Sequence, residues 1–234
     1  MTTKLTLWHT YGLLKDQTQQ QNIPQVRSDL PPPLRSRVNI GTDTTGEKFF
    51  ALLERELPPG GIPAYLAARK KNVRSFVLWA DQHRDRRVAT VVTERADGGG
   101  ATYQVLDEHG RIIATIAVRR AFHGGLRTRW TVRRPGAEDA VGYKGRLVWW
   151  LMYWLLFPLW VFMGIAAILG GDVPRAPRRV IWRTGGRRAF EHKAGGNDLR
   201  LSEPELDHRV AAALLCLVRT DDGWFGRPWD GDKE

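Results

Sequence analysis

From Leu147 to Gly171 the chain runs for twenty-five residues, LVWWLMYWLLFPLWVFMGIAAILGG, without a formal charge, although the whole protein carries a net charge of +11. This segment constrains the fold more than any other. As one straight helix it would be about 37 Å long, enough to cross a hydrocarbon core of about 30 Å with tilt. Pro158 near its middle removes one backbone donor and disfavours helical geometry at Phe157, so the segment can equally bend into two arms of about 16 Å each. The first arm presents Trp149, Tyr153, Phe157 and Trp160 at helical spacing, with Trp150, Trp154 and Phe162 beside them. Tryptophan and tyrosine favour the headgroup boundary of a bilayer. The second arm ends in Ala166, Ala167, Gly170 and Gly171, small residues that let two arms pack closely.

Three arrangements compete for this segment: a hairpin inserted into one leaflet, a tilted single span with a split fold on its two sides, and a buried hairpin or oligomer interface in a soluble protein. The flanks bear on the choice. Arg133, Arg134, Lys144 and Arg146 precede the segment, and Arg175, Arg178, Arg179 and Arg183 follow it. Equal positive charge on both sides gives a span no preferred orientation and suits two ends on the cytoplasmic face. Seven aromatic side chains with no charge or amide among them weigh against a soluble surface helix. The hairpin is the favoured expectation, with Pro158 at its bend.

The text on either side reads as strands. Phe76 to Trp79, Val88 to Thr93, Thr102 to Leu106, Ile112 to Val118 and Arg127 to Val132 are short β-rich runs separated by turn residues, Gly98-Gly99-Gly100 among them. Arg179 to Arg183, Arg188 to Lys193 and Asp198 to Leu201 continue the series. Asp207 then caps the run Val210 to Val218, apolar on nearly every face and therefore a helix buried all round. Strands ending in such a helix imply a barrel closed around it, which leaves no sheet edge exposed. If strands on both sides of the apolar segment share one barrel, a single crossing would tear that barrel apart.

Upstream, the polar run Gln17 to Asn22 and Pro31-Pro32-Pro33 read as a linker. Thr44-Thr45-Gly46-Glu47 has capping-box spacing and predicts a short amphipathic helix through Phe49, Phe50, Leu52, Leu53 and Leu57. Pro63 opens a second short helix that ends in Arg69-Lys70-Lys71. The expected organisation is an N-terminal extension over 1–43, short helices over 44–73, a β-barrel domain over 75–219 carrying the apolar insertion 147–171, and a tail over 220–234. Trp224, Phe225 and Trp229 in that tail can dock on a partner or on the domain itself, or the tail can hang free.

The hairpin Tyr103-Gln-Val-Leu-Asp107-Glu-His-Gly110-Arg-Ile-Ile-Ala-Thr-Ile116, with the strands and terminal helix that follow, resembles the tubby C-terminal-like superfold shared by phospholipid scramblases and LURP-one-related proteins. The resemblance covers roughly 75–219 apart from the apolar segment. It implies binding to membranes and phosphoinositides through basic surfaces.

A pI near 10.3 by itself points to acidic partners, either anionic headgroups or nucleic acid phosphates. Arg69-Lys70-Lys71, Arg84 to Arg87, Arg119-Arg120 and Arg178-Arg179 are the candidate basic runs. No zinc finger, RNP signature or helix-turn-helix pattern supports nucleic acid, which stays the second class. Catalytic signals are weak. Asp81, His83 and Asp85 sit among arginines that disfavour a cation, Glu191 and His192 point to opposite faces of a strand, and Cys216 reads as a buried small hydrophobe. The lone cysteine excludes an intramolecular disulfide and fits a reducing compartment, and no signal peptide is visible after Lys4. The expectation is a non-enzymatic protein without cofactor or metal on the cytoplasmic face of the cell membrane. It is held there by the Trp-rich segment and by Lys144, Arg146, Arg175, Arg178 and Arg179 against anionic phospholipid.

Overall fold

Period-two alternation decides most of the architecture. In Gly100–Leu106 the residues Ala101, Tyr103 and Val105 are buried, and in Ile112–Arg119 Ala114, Ile116 and Val118 are buried, while the residues between them face outward. The computed structural model describes residues 2–9, 34–42, 46–123, 125–144, 179–193, 196–202, 206–221 and 228–231. Among them are twelve strands: β1 (Thr3–His9), β2 (Ser36–Thr42), β3 (Lys48–Arg55), β4 (Phe76–Trp79), β5 (Arg87–Asp97), β6 (Gly100–Leu106), β7 (Ile112–Arg119), β8 (Arg129–Arg133), β9 (Ala140–Tyr143), β10 (Arg179–Thr184), β11 (Arg187–Lys193) and β12 (Asp198–Leu201). Every strand pairs antiparallel with its neighbour in sequence, and β1 pairs with β12, so the sheet closes into a barrel with no open edge.

Helix α1 (Gly61–Lys70) lies between β3 and β4, and helix α2 (His208–Asp221) follows β12. The residues Val210 to Val218 of α2 are all buried and join the inward-facing strand residues in one hydrophobic core. A helix apolar all round needs such an enclosure, and each buried leucine contributes about 2 kcal/mol through apolar area removed from water. Asp207 caps α2: one carboxylate oxygen accepts the Arg209 amide at 2.8 Å, and the other accepts the Arg209 guanidinium at 2.8 Å. Cys216 is fully buried in this core, and burial pushes its thiol well above the ordinary range.

Three expectations for the N-terminal part are corrected. The barrel begins at Thr3 and not at residue 75, because β1, β2 and β3 supply three of its staves. The segment expected as the first short helix is β3. Glu47, expected to cap that helix, instead accepts hydrogen bonds from Thr6 Oγ1 at 2.9 Å, Trp8 Nε1 at 3.0 Å and Asn39 Nδ2 at 3.3 Å. These tertiary partners satisfy the carboxylate better than a local cap would, and the apolar residues that follow fit period two as well as period 3.6. The second helix exists as α1, with Pro63 as its third residue and the left-handed Gly60, φ 99°, before it.

Because neighbours are antiparallel, alternate connections fall on opposite ends of the barrel. The β3–β4 connection with α1, the β5–β6 turn, the β7–β8 loop and the β9–β10 and β11–β12 connections share one end, called here the basic end. The other end, named the tight-turn end for its β6–β7 and β10–β11 turns, carries the β2–β3, β4–β5, β6–β7, β8–β9 and β10–β11 connections.

Candidate functional site: an arginine cleft beside the exit of the apolar segment

Gly142 of β9 stands opposite Trp182 of β10, and Val141 opposite Arg183. The chain therefore leaves β9 after Tyr143 and re-enters at Arg179 on the adjacent strand, at the same end of the same barrel. Both flanks of the apolar segment belong to one body. The segment itself, with Trp149, Trp150, Tyr153, Trp154, Phe157, Pro158, Trp160 and Phe162, lies outside the described residues, as do Arg146, Arg175 and Arg178. Among the described residues no helix is long and apolar enough to cross a membrane. Of the flanking cations within them, Lys144 donates its amide to Thr128 O at 2.9 Å, and Arg179 pairs with Glu191 at 2.6 Å.

Next to this exit the outer face of β5–β8 forms a cleft of ≈ 760 Å³. Two transverse rows build it. In the first, Arg95, Thr102, Ala117 and Thr131 stand side by side. The second, two residues along the strands, holds Asp97, Gly100, Arg119 and Arg129. Small side chains form the floor and long cationic ones the walls, with Arg133 and His123 closing the rim. A bulge between Thr93 and Arg95 leaves Glu94 as the extra residue; Thr93 keeps register with inward Tyr103 while Arg95 turns outward beside Thr102.

Two glycines allow the loops to meet over the cleft. A Cβ on Gly99 would lie 2.7 Å from His123 Cβ, and one on Gly100 would lie 2.3 Å from Val118 O, so neither position admits a side chain without displacing the β7–β8 segment. Arg120 donates its amide to Gly99 O at 2.8 Å, which ties the β5–β6 turn to the β7–β8 loop. Asp97, the one carboxylate in the lining, accepts the Gly99 amide at 2.9 Å. Among the described residues no ion pair or side-chain hydrogen bond engages Arg95, Arg119 or Arg129. Three planar guanidinium groups over a floor of small residues suit an anion with several oxygens, because each can donate two parallel N–H bonds.

No family model, curated protein or solved structure matches the chain.

The basic runs named from sequence divide. Arg119 enters the cleft, while Arg120 turns toward α1 and donates to Asn72 Oδ1 at 2.6 Å. Arg69 is held by Asp230 at 2.9 Å. Arg84 belongs to the opposite end, where it makes a two-pronged contact with Glu54 at 2.8 Å. Asp81 accepts the amides of Asp85 and Arg86, both at 3.2 Å, and so organises a turn. Of the other lining residues, Arg133 is named from sequence only as a flank of the apolar segment, and Arg95, Arg129 and His123 are not singled out. The only signal for them was the triple glycine, which reads as a turn without revealing what packs over it.

Beside the cleft a second polar network seals the basic end. Trp229 is buried, donates its indole N–H to Cys216 O at 3.0 Å and meets Phe76 edge-on with centroids 5.5 Å apart. Of the alternatives for the tail, docking on the domain describes Trp229. Asp230 is 0% exposed and contacts Arg69 at 2.9 Å and Arg74 at 3.5 Å. Arg74 reaches Tyr103 Oη at 3.1 Å, which donates to Asn72 O at 2.9 Å.

Proposed function

We propose that this is a non-enzymatic, membrane-associated protein that binds anionic phospholipid with the basic end of its barrel. It belongs with the tubby-like and scramblase-like proteins in architecture and sits on the cytoplasmic face of the cell membrane. The observation that carries this reading is the placement of the arginine cleft beside the point where residues 145–178 leave and re-enter one barrel. An apolar segment that starts and ends on one face of a closed body fits insertion into one leaflet, and a single crossing would require β9 and β10 to part. A barrel with a buried C-terminal helix supports the tubby-like resemblance.

Two signals act together in this reading. Burial of the Trp-rich insertion supplies the apolar term, and cations near the surface contribute about 1 kcal/mol each. The arginines of the cleft then hold a headgroup phosphate. Flotation of the full chain with vesicles, with and without phosphatidylserine or phosphoinositide, tests the reading against binding to duplex and single-stranded DNA at matched salt. Flotation that grows with anionic lipid supports it. Preference for DNA with no flotation would replace it by a nucleic-acid-binding module.

A further inference from the structure

The β7–β8 loop exposes what a soluble surface normally hides. Phe122 is 76% exposed and Leu126 55% exposed. Phe122 also holds φ 70°, a left-handed conformation that is a genuine outlier for a bulky residue. Its amide donates to Gly125 O at 2.7 Å, and the next amide, that of His123, donates to Arg120 O at 3.3 Å, so the strained turn is fixed by its own backbone. Strain retained in order to present an aromatic ring to solvent asks for a function.

The surroundings say what would cover it. Arg119 and Arg129 form the base of the loop, Arg127 stacks over exposed Tyr143 at 4.7 Å from its centroid, and the Lys144 amide bonds to Thr128 O. These residues adjoin the exit of the apolar segment, so apolar tip and cationic collar lie at the end of the barrel from which that segment departs. A tip of two large apolar side chains above a ring of arginines matches the boundary between acyl chains and anionic headgroups.

We infer that the β7–β8 loop is a second membrane-contacting element, with Phe122 and Leu126 entering the headgroup region of an anionic bilayer. This brings the mouth of the arginine cleft to the level of the lipid phosphates. The inference rests on the membrane reading above and adds the site of contact and its depth.

Spin labels on the full chain test it. Cys216 is fully buried, so Phe122→Cys and Ile112→Cys each offer one accessible thiol. The two positions bracket β7, about 24 Å of strand apart, with Ile112 exposed at the opposite end of the barrel. In vesicles containing phosphatidylserine, the label at 122 is expected to gain collisions with oxygen and to lose contact with a water-soluble relaxing agent several-fold, while that at 112 changes in neither. The double variant Phe122→Ser, Leu126→Ser is expected to float about tenfold more weakly with an unchanged circular dichroism spectrum. Equal water access at both positions in vesicles that do carry the protein overturns the inference alone. Absence of flotation by the unsubstituted chain overturns the membrane reading and the inference with it. Shielding of the 122 label by DNA without vesicles assigns the loop to another partner and equally overturns it.

Discussion

Gly142 and Trp182 face one another across the β9–β10 ladder so closely that a Cβ on the glycine would lie 2.9 Å from the indole ring. The indole is fully buried and meets Phe190 edge-on at 6.3 Å between centroids. This pair seals the seam from which the apolar segment departs. Gly142→Ala must push the ring off its rotamer, and overpacking of this kind costs about 2 kcal/mol. Trp182→Ala leaves a cavity and costs about 4 kcal/mol. Urea denaturation checks both; an unperturbed Gly142→Ala midpoint would mean that the seam is looser than described.

The Trp229-Asp230 latch ties the tail to the barrel end. Trp229→Ala should cost about 3 kcal/mol through lost packing on Phe76 and the freed Cys216 carbonyl. Asp230→Asn removes the carboxylate shared by Arg69 and Arg74 and should cost less, because burial of that charge opposes their attraction. Differential scanning calorimetry of the two variants is the check, and Tm values equal to that of the parent would show that the tail does not close the barrel.

Carboxylates at the tight-turn end make stability depend on acid pH. The Trp8 indole N–H holds Glu47 below its ordinary value, and backbone amides, first those of Asp85 and of Arg111, do the same for Asp81 and Asp107. For Asp207 burial pushes upward, but the hydrogen bonds from Arg209 outweigh it and the pKa falls. A depressed folded-state pKa gives stability that is present above the unfolded value near ~4 and is lost as pH falls through the depressed value. Asp230 runs the other way. Burial raises it despite Arg69 and Arg74, so its contribution is present below the unfolded value and fades as pH rises through the raised one. Denaturation midpoints taken from pH 7 to pH 2 should fall at the acid end, and Asp107→Asn should flatten that fall. An acid limb unchanged by Asp107→Asn contradicts the assignment.

The cleft arginines can be removed without touching the core. Arg119→Ala and Arg129→Ala together should weaken flotation with phosphatidylserine vesicles about thirtyfold at low salt, at about 1 kcal/mol per cation, and reduce its salt dependence. Arg187→Ala and Arg188→Ala, exposed at the opposite end, should change it little. Equal losses from the two pairs would mean that net charge and not the cleft attracts the bilayer.

The reading of strands succeeded for β4 to β8 and β10 to β12, short β-rich runs between turn residues, several of which bury alternate residues on one side, as in Ala101, Tyr103 and Val105. It failed for β2, whose Ser36–Thr42 follows a polar, proline-rich stretch and was merged with it, and for β1, whose Leu5 and Leu7 alternate with Thr6 and Trp8 over too short a run to stand out. It failed for β3 because adjacent apolar pairs suit either period and the local capping signal was false. The short β9, Ala140–Tyr143, carries little pattern of its own. The cleft was illegible for a different reason: Arg95, Arg119 and Arg129 come from three strands, and only the register brings them together.

The central claim is that one closed body holds both ends of the apolar segment on one side of a bilayer. Ala137→Cys, in the turn before β9, and Arg187→Cys, at the start of β11 just after the β10–β11 turn, flank the segment and are both exposed. Each variant, added to preformed sealed vesicles and recovered by flotation, is exposed to a membrane-impermeant maleimide before and after permeabilisation. The account predicts full reaction at both positions from outside, with no gain on permeabilisation; a position that reacts only after the vesicles are opened would contradict it.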